Sequence, residues 1–360
     1  MKKIHKVLGL MSGTSLDGLD IAYCHIWQVE KNKWNFKILN AETISYSKAY
    51  KNKLKNAILI SKNKHSELDI AYGEWLGLQA KKFIENYNCD IDFIASHGHT
   101  THHKPEEGYT YQIGNGQKLA NSAEQKVICD FRSLDVKLGG QGAPLVPIGD
   151  ELLFSDYDFC LNLGGISNIS FKKNKKRIAY DIGLANMPLN YITEKIQLSY
   201  DDEGKLAASG KLDEALFNQL NNLNYYKLPF PKSTGYEWFA KEIIPLIEKS
   251  TNTPKNLLHT FIHHNCTVIA SAIKKHKTTN ENRILVCGGG ALNTFFMSNL
   301  SKKLEGFAHV IIPSKELINY KEALVFVLVG VKKNRNEINV FSSVTGASKD
   351  SCSGTIFIPN

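Results

Sequence analysis

The chain has 360 residues, 42% of them apolar and 22% charged, with only 10 prolines, which excludes disordered and fibrous classes and leaves room for two compact lobes. Its formal net charge of +9 comes from lysines scattered among asparagines, as at 31–37, 172–176 and 332–335, without a basic helix or an aromatic-interleaved stripe, so no nucleic-acid partner is expected. Seven cysteines (Cys24, Cys89, Cys129, Cys160, Cys266, Cys287 and Cys352) are widely spaced and form no C-x-x-C pair; together with an N-terminal apolar run broken at Gly13 and no run near the roughly 20 apolar residues that span a bilayer, they point to a cytoplasmic protein with reduced thiols and no membrane partner.

In chain order, residues 7–11 and 21–26 are apolar and strand-like, joined by the polar turn Ser12-Gly13-Thr14-Ser15-Leu16-Asp17-Gly18-Leu19-Asp20. That is a hairpin with a glycine- and hydroxyl-rich tip. A third strand is expected within 36–46. Ser66, with Asp69 three residues later, reads as a helix start, followed at near-helical spacing by Leu68, Tyr72, Trp75, Leu76 and Phe83. Short buried strands are expected at 93–96 and 127–129, each closing on a loop. A second strand–turn–strand unit at 159–163 and 177–181 carries Gly164-Gly165-Ile166-Ser167-Asn168 after its first strand. It echoes the first hairpin and suggests two lobes of related build. Beyond it, helices are expected at 233–249, 254–276, from 291, and at 321–333, with strands at 284–287 and 309–312. In the second of these helices, Leu258, Phe261, Ile262, Ile269, Ala272 and Ile273 form a core stripe without chemistry.

Several segments could carry chemistry. The Gly13–Asp20 turn offers backbone N–H groups, the hydroxyls of Thr14 and Ser15, and the carboxylates of Asp17 and Asp20; such groups can hold phosphate oxygens and an accompanying Mg²⁺, although a plain solvated tip has the same residues. No Gly-Lys-Ser/Thr triplet follows, which excludes a P-loop. Gly288, Gly289 and Gly290 between a buried strand and a helix would let backbone lie against a nucleotide's adenosine, or form a simple tight turn. Asp181 at the end of a strand is placed as a general base, or else as a helix cap, with Asp135 the next carboxylate in line for the proton. His97, His99, His102 and His103 lack the acidic partner and the i, i+4 pairing of familiar metal sites, so His97 and Thr100 are read as hydrogen-bonding a substrate. His263 and His264 lie beside the core stripe and read as structural. Arg132 opens a long glycine-bearing loop through Gly139, Gly140, Gln141 and Gly142, and suits a bidentate grip on a carboxylate or phosphate.

The opening run Gly9-Leu10-Met11-Ser12-Gly13-Thr14-Ser15-Leu16-Asp17-Gly18-Leu19-Asp20 resembles that of the anhydro-N-acetylmuramic acid kinases. Ser96-His97-Gly98-His99-Thr100, Asp130-Phe131-Arg132, Gly139-Gly140-Gln141-Gly142-Ala143-Pro144, Asn162-Leu163-Gly164-Gly165-Ile166-Ser167-Asn168, Ala208-Ser209-Gly210, Pro231-Lys232-Ser233-Thr234-Gly235, Cys287-Gly288-Gly289-Gly290-Ala291 and Val344-Thr345-Gly346-Ala347 extend the likeness, in family order, over residues 7–358. The resemblance implies an α/β, two-lobed actin-like ATPase (sugar kinase) fold with mixed sheets flanked by helices and ATP in an interlobe cleft. It implies lobes at 1–130 with 338–360 and at 131–337, and a homodimer. It also implies conversion of 1,6-anhydro-N-acetylmuramic acid and water to N-acetylmuramic acid 6-phosphate, with ATP and Mg²⁺, in peptidoglycan recycling. An ordinary sugar-hydroxyl kinase or an ATP-responsive regulatory protein of the same fold are the rivals. Carried over, Gly13, Thr14, Ser15, Leu16, Asp17, Gly18, Leu19 and Asp20, with Gly164, Gly165 and Gly288–Gly290, bind ATP. Asp17 ligates Mg²⁺, Asp181 is catalytic, and His97, Thr100, Arg132 and Asn186 bind the sugar. The family's Asp-Thr-Gly-Pro-Gly-Asn-Met is here Asp181-Ile182-Gly183-Leu184-Ala185-Asn186-Met187, and its Gln after His-Gly is here His99.

Overall fold

Two mixed sheets, one of seven strands and one of five, share a five-strand order and organise the molecule. The structure is a computed structural model that describes residues 3–13, 16–276 and 281–360. Its chain divides into two compact units, residues 1–155 with 320–360 and residues 156–319. Compared with the division at 130 and 337 drawn from the sequence, the first unit takes in 131–155 and 320–337. The reason is local bonding: within that unit Arg132 joins His97, Asp135 joins Thr345, and Asp150 pairs with Lys321.

In the first unit the strands are β1 (Ile4–Ser12), β2 (Leu19–Glu30), β3 (Lys33–Ile44), β4 (Phe93–Lys104), β5 (Tyr109–Ile113) and β6 (Val127–Cys129). β1, β2 and β3 form an antiparallel meander, β4 adds parallel to β1, β6 adds parallel to β4, and the late strand Thr355–Phe357 closes the edge against β6. The second unit repeats the plan. β7 (Phe159–Leu163), β8 (Ile166–Lys173) and β9 (Lys176–Leu184) form the meander, and β10 (Asn282–Cys287) and β11 (Ala308–Ile311) add in parallel, giving the order β11-β10-β7-β8-β9. A doubled three-strand meander extended by parallel strands is the topology of the actin-like ATPase fold.

Each sheet carries its own core. Leu8, Leu10, Ile21, Tyr72, Leu76, Phe83 and Ile94 pack in the first, and Leu161, Ile182, Leu258, Phe261, Ile262, Ile269 and Val286 in the second. The stripe on helix Pro254–Lys275 is buried as expected, since a helix that covers a sheet must present a continuous apolar face. Among the described residues, no helix is long and apolar enough to cross a membrane, and all seven cysteines are free thiols.

Several elements differ from their sequence reading. The first long helix is Lys62–Tyr87, starting before Ser66; Asp69 faces inward instead, accepting from Gly114 N at 2.8 Å and Asn115 Nδ2 at 3.3 Å. β4 runs on through the histidine cluster, because β5 pairs with that extension and satisfies its backbone. β8 occupies 166–173, so Ile166, Ser167 and Asn168 are strand rather than turn. The loop after Arg132 contains a short helix, Ser133–Lys137. Helical structure around 233–249 begins only at Tyr236, and residues 231–235 are extended. The triple glycine runs into a single 3₁₀ turn, Gly289–Leu292, which precedes helix Thr294–Leu304, capped by the Asn293 side chain. The last long helix is Lys315–Asn334, longer than its apolar centre suggests.

Candidate functional site

The first unit assembles its polar residues where β1, β2 and β4 meet the helix Lys315–Asn334. At the β1–β2 turn, Leu16 has φ of 59° and its N–H reaches Gly13 O at 3.3 Å; Thr14 and Ser15 lie outside the described residues. Asp17 is exposed. Gly18 is buried rather than standing at an open tip. A side chain there would sit 2.7 Å from Ile44 O, so glycine is what lets β3 approach. Leu19 points into the core, and Asp20 is a strand residue that accepts from Thr43 Oγ1 at 2.6 Å. Burial raises the Asp20 pKa, the Thr43 bond lowers it, and the Asp17 charge raises it. Two neighbouring carboxylates that repel one another suit a hard divalent cation, which takes oxygen ligands and needs only one or two carboxylates when phosphates supply the rest. Among the described residues no group of three or more His, Cys, Asp or Glu side chains could hold a metal ion.

Deeper in this unit, Arg132 donates from Nε to His97 Nε2 at 2.9 Å and from Nη1 to Gly142 O at 3.1 Å. His97 Nδ1 lies 2.9 Å from Gly98 O. A carbonyl can only accept, so Nδ1 carries the proton and Nε2 is the acceptor. Burial, then the Arg132 charge, hold the His97 pKa well below its usual value. Burial also lowers Arg132 to about 10, with Glu322 opposing. Glu322, on helix Lys315–Asn334, is an exposed residue whose carboxyl end is shielded from solvent, and that burial raises its pKa; Arg132 lowers it and Asp20 raises it. Glu322 was missed in the sequence, where it reads as the charged border of an apolar helix. Thr100 does not join this group by any hydrogen bond: its hydroxyl accepts from Gln112 Nε2 at 3.4 Å. His99 instead continues inward, Nδ1 meeting Ser12 Oγ at 3.1 Å, and Ser12 meets Tyr46 OH at 2.7 Å. Burial lowers His99 to about 4. Asp135 is not available as a base. It is wholly buried, with Oδ2 accepting from Gly142 N at 2.7 Å and Oδ1 from Thr345 Oγ1 at 2.7 Å, and it braces the glycine loop.

In the second unit Asp181 is not at a strand end. β9 continues to Leu184, with the register shifting so that Asn168 faces Asp181 and Ser167 faces Gly183. The register shift leaves Ile182 as the extra residue of a β-bulge beside Asp181. The helix-cap alternative falls too, since helix Asn186–Glu194 is preceded by Ala185. Thr234 N donates to Asp181 Oδ2 at 3.1 Å. Burial raises the Asp181 pKa and the Thr234 bond lowers it, leaving the carboxyl more basic than a free one. Gly183 must be glycine, because a side chain would lie 2.6 Å from the Tyr226 ring.

The glycines of this unit converge as well. Gly164 and Gly165 form the β7–β8 tip, and Ala185, Asn186 and Met187 donate backbone N–H groups to their carbonyls. Asn186 Nδ2 bonds Leu163 O at 3.0 Å and Gly164 O at 2.9 Å, so its amide N–H₂ ties the tip together and only Oδ1 is left for a ligand. Gly290 packs on Leu163, whereas Gly289 is exposed with open space around it.

The family model for Anhydro-N-acetylmuramic acid kinase matches residues 5–359. The chain belongs to the anhydro-N-acetylmuramic acid kinase family. Relatives carrying that name include those of Aliivibrio fischeri, 33% identical over 99% of this chain and 100% of the relative, and Haemophilus influenzae, 34% identical over 97% of each. Among solved structures, the activator of the 2-hydroxyisocaproyl-CoA dehydratase from Clostridium difficile with bound ADPNP aligns at 11% identity and a TM-score of 0.44, covering 92% of this chain and 97% of that one; so slight a likeness bears on nothing further. Family membership accounts for the placement of the sequence motifs in both units.

Proposed function

We propose that this protein phosphorylates 1,6-anhydro-N-acetylmuramic acid with ATP, opening the anhydro bridge with water to give N-acetylmuramic acid 6-phosphate and ADP. Such a reaction returns a cell-wall sugar to metabolism. The observation that carries the reading is Asp181, a half-buried carboxylate held at one oxygen by Thr234 N–H, whose pKa burial raises above the ordinary value. Its carboxylate takes a proton from water as that oxygen bonds to C1. The C1–bridge oxygen bond breaks, the freed oxygen stays on C6, and it bonds to the γ-phosphorus as ADP departs.

The remaining residues bind and orient. Arg132, pinned by His97 and Gly142, offers its outer N–H groups to the sugar's carboxylate or hydroxyls, with Glu322 as a neighbouring acceptor. Gly289 leaves open space against which the nucleotide would lie, while Gly288 and Gly290 pack on Leu163 and, with the Gly164–Gly165 tip, shape the backbone beside it. The Asp17 and Asp20 carboxylates would hold Mg²⁺. When bound, that ion neutralises phosphate charge. Seven free thiols support a cytoplasmic location, and a homodimer is the assembly that the resemblance implies.

A coupled ADP-release assay tests the reading. ADP must appear with ATP, Mg²⁺ and the anhydro sugar together, and not with the reducing amino sugar in its place. ADP release that ignores the anhydro sugar would reject it.

A further inference from the structure

β9 is an edge strand, so the backbone of Asp181 faces outward with no neighbouring strand to pair with. The segment 225–234 supplies what is missing. Asp181 N donates to Lys232 O at 3.0 Å, and Asp181 O accepts from Tyr225 OH at 2.8 Å. With Thr234 N on Oδ2, three bonds from one ten-residue excursion fix the residue's main chain and its carboxylate. The Lys232 ammonium closes that excursion on itself. It donates to Tyr225 O at 2.9 Å and sits over the Tyr225 ring at 4.3 Å and the Tyr226 ring at 5.9 Å. A cation held by a carbonyl and two aromatic faces is a strong local staple. Without it, the two ends that grip Asp181 would move independently.

We propose that Lys232 is a positioning residue for the reaction, acting through Tyr225 and Thr234 to hold the Asp181 carboxylate in its working orientation. The inference rests on the reading of Asp181 as the base. Lys232 does not touch the carboxylate; its influence passes through the three bonds. Around Asp181 stand the Tyr225 phenol from helix Asn224–Lys227, the uncharged Asn168 opposite on β8, and the Thr234 amide. Lys275 on helix Pro254–Lys275 acts on Lys232 rather than on Asp181: burial lowers the Lys232 pKa first, and the Lys275 charge adds to that.

The test compares Lys232→Met, which keeps the stem, with Lys232→Arg, which keeps a donor and a cation over the rings. Lys232→Met should lower kcat for the anhydro sugar by about 10- to 100-fold, as a misplacement of about 1 Å does, with KM for ATP unchanged. Because the Thr234 N–H holds the Asp181 pKa down, loosening it should also move the acid limb of the pH profile of kcat/KM to higher pH. Lys232→Arg should restore both. Full activity in Lys232→Met, or a loss that follows a lowered melting temperature with an unmoved pH profile, overturns the inference. If Lys232→Met does not fold, Tyr225→Phe decides by the same two readouts, since it removes only the hydroxyl bond to Asp181 O. Asp181→Asn in the same assay separates the two claims: turnover retained there rejects the base itself, whereas an inactive Asp181→Asn beside an unaffected Lys232→Met rejects only Lys232.

Discussion

Arg132 donates its Nε–H to His97 Nε2 across 2.9 Å, which makes the imidazole a neutral acceptor, while its Nη1 donates to Gly142 O at 3.1 Å. A lysine cannot reproduce this, because an ammonium has no planar fork that holds His97, Gly142 and a ligand at once. Arg132→Lys should therefore reduce kcat/KM for the anhydro sugar by about 10- to 100-fold, the scale of one hydrogen bond to a charged group, with KM for ATP unchanged. Steady-state kinetics with each substrate varied in turn checks this. An equal loss toward ATP would move Arg132 to the nucleotide.

His264 shows the opposite use of a buried imidazole. It bonds Asn221 Oδ1 and Tyr226 OH, both at 3.0 Å, and burial lowers its pKa to about 3. The ring of Tyr226 lies against Gly183, so this histidine supports the Asp181 loop from behind. An unfolded histidine titrates near 6.5, so between that value and about 3 the unfolded chain binds the extra proton. Stability is thus complete above about pH 6.5 and is lost as pH falls through the range below it. From pH 7.5 to 5.0 the loss from this one group is about 2 kcal/mol. His264→Gln, whose amide can keep one or both bonds, should flatten the dependence by that amount. Urea midpoints of both proteins at the two pH values measure it, and parallel curves would show that His264 is not the titrating group.

Asp17→Ala removes an exposed carboxylate, so the melting temperature should stay the same within a degree or two. ATP use should suffer. Losing a phosphate-side cation ligand should raise KM for Mg²⁺-ATP by about 10-fold or more, on the scale of one charge-assisted contact. The Asp20 pKa should also fall, since Asp17 is one of the causes that raise it. Titrating Mg²⁺ at fixed ATP shows whether the added ion rescues the variant. Normal ATP kinetics would assign the cation to Asp20 and the phosphates alone.

The parts of this molecule that were legible in the sequence are those whose cause is local. The strand pair flanking Gly13, the strand before Gly164, the apolar stripe of Leu258–Ile273 and the strand before Gly288 follow from periodicity and from glycine placement, whereas the start of β8 reads as part of a turn. What stayed hidden depends on partners far along the chain. β5 makes strand of His99–Lys104 from a distance, and the pairing of β8 with β9 moves Asp181 from a strand end to a bulge. Thr234 reaches Asp181 across 53 residues. The run Pro231-Lys232-Ser233-Thr234-Gly235 was the available signal, but nothing local says which carboxylate it serves. Glu322 was concealed for a related reason: its character comes from Arg132 and Asp20, neither of which is near it in sequence.

Asp181→Asn should lower kcat by about 10²- to 10⁴-fold, the usual contribution of a general base, while ATP binding persists. The amide is nearly isosteric and can still accept the Thr234 N–H, so the orientation survives and only the basicity goes. Where the solvent oxygen ends up then identifies the step that the carboxylate serves. If Asp181 activates water against C1, the reaction in ¹⁸O-water must place label on C1, provided the sugar phosphate is analysed before its anomers exchange. The old bridge oxygen stays on C6 and takes the phosphoryl group, so the C6–O–P linkage and the phosphate remain unlabelled. Label in free inorganic phosphate would mean that water attacks ATP instead. An unlabelled phosphosugar formed from a reducing amino sugar would mean that Asp181 deprotonates an ordinary hydroxyl. In Asp181→Asn the residual product should still carry its label on C1, made slowly, because the variant loses the base and not the geometry that selects the attacking oxygen.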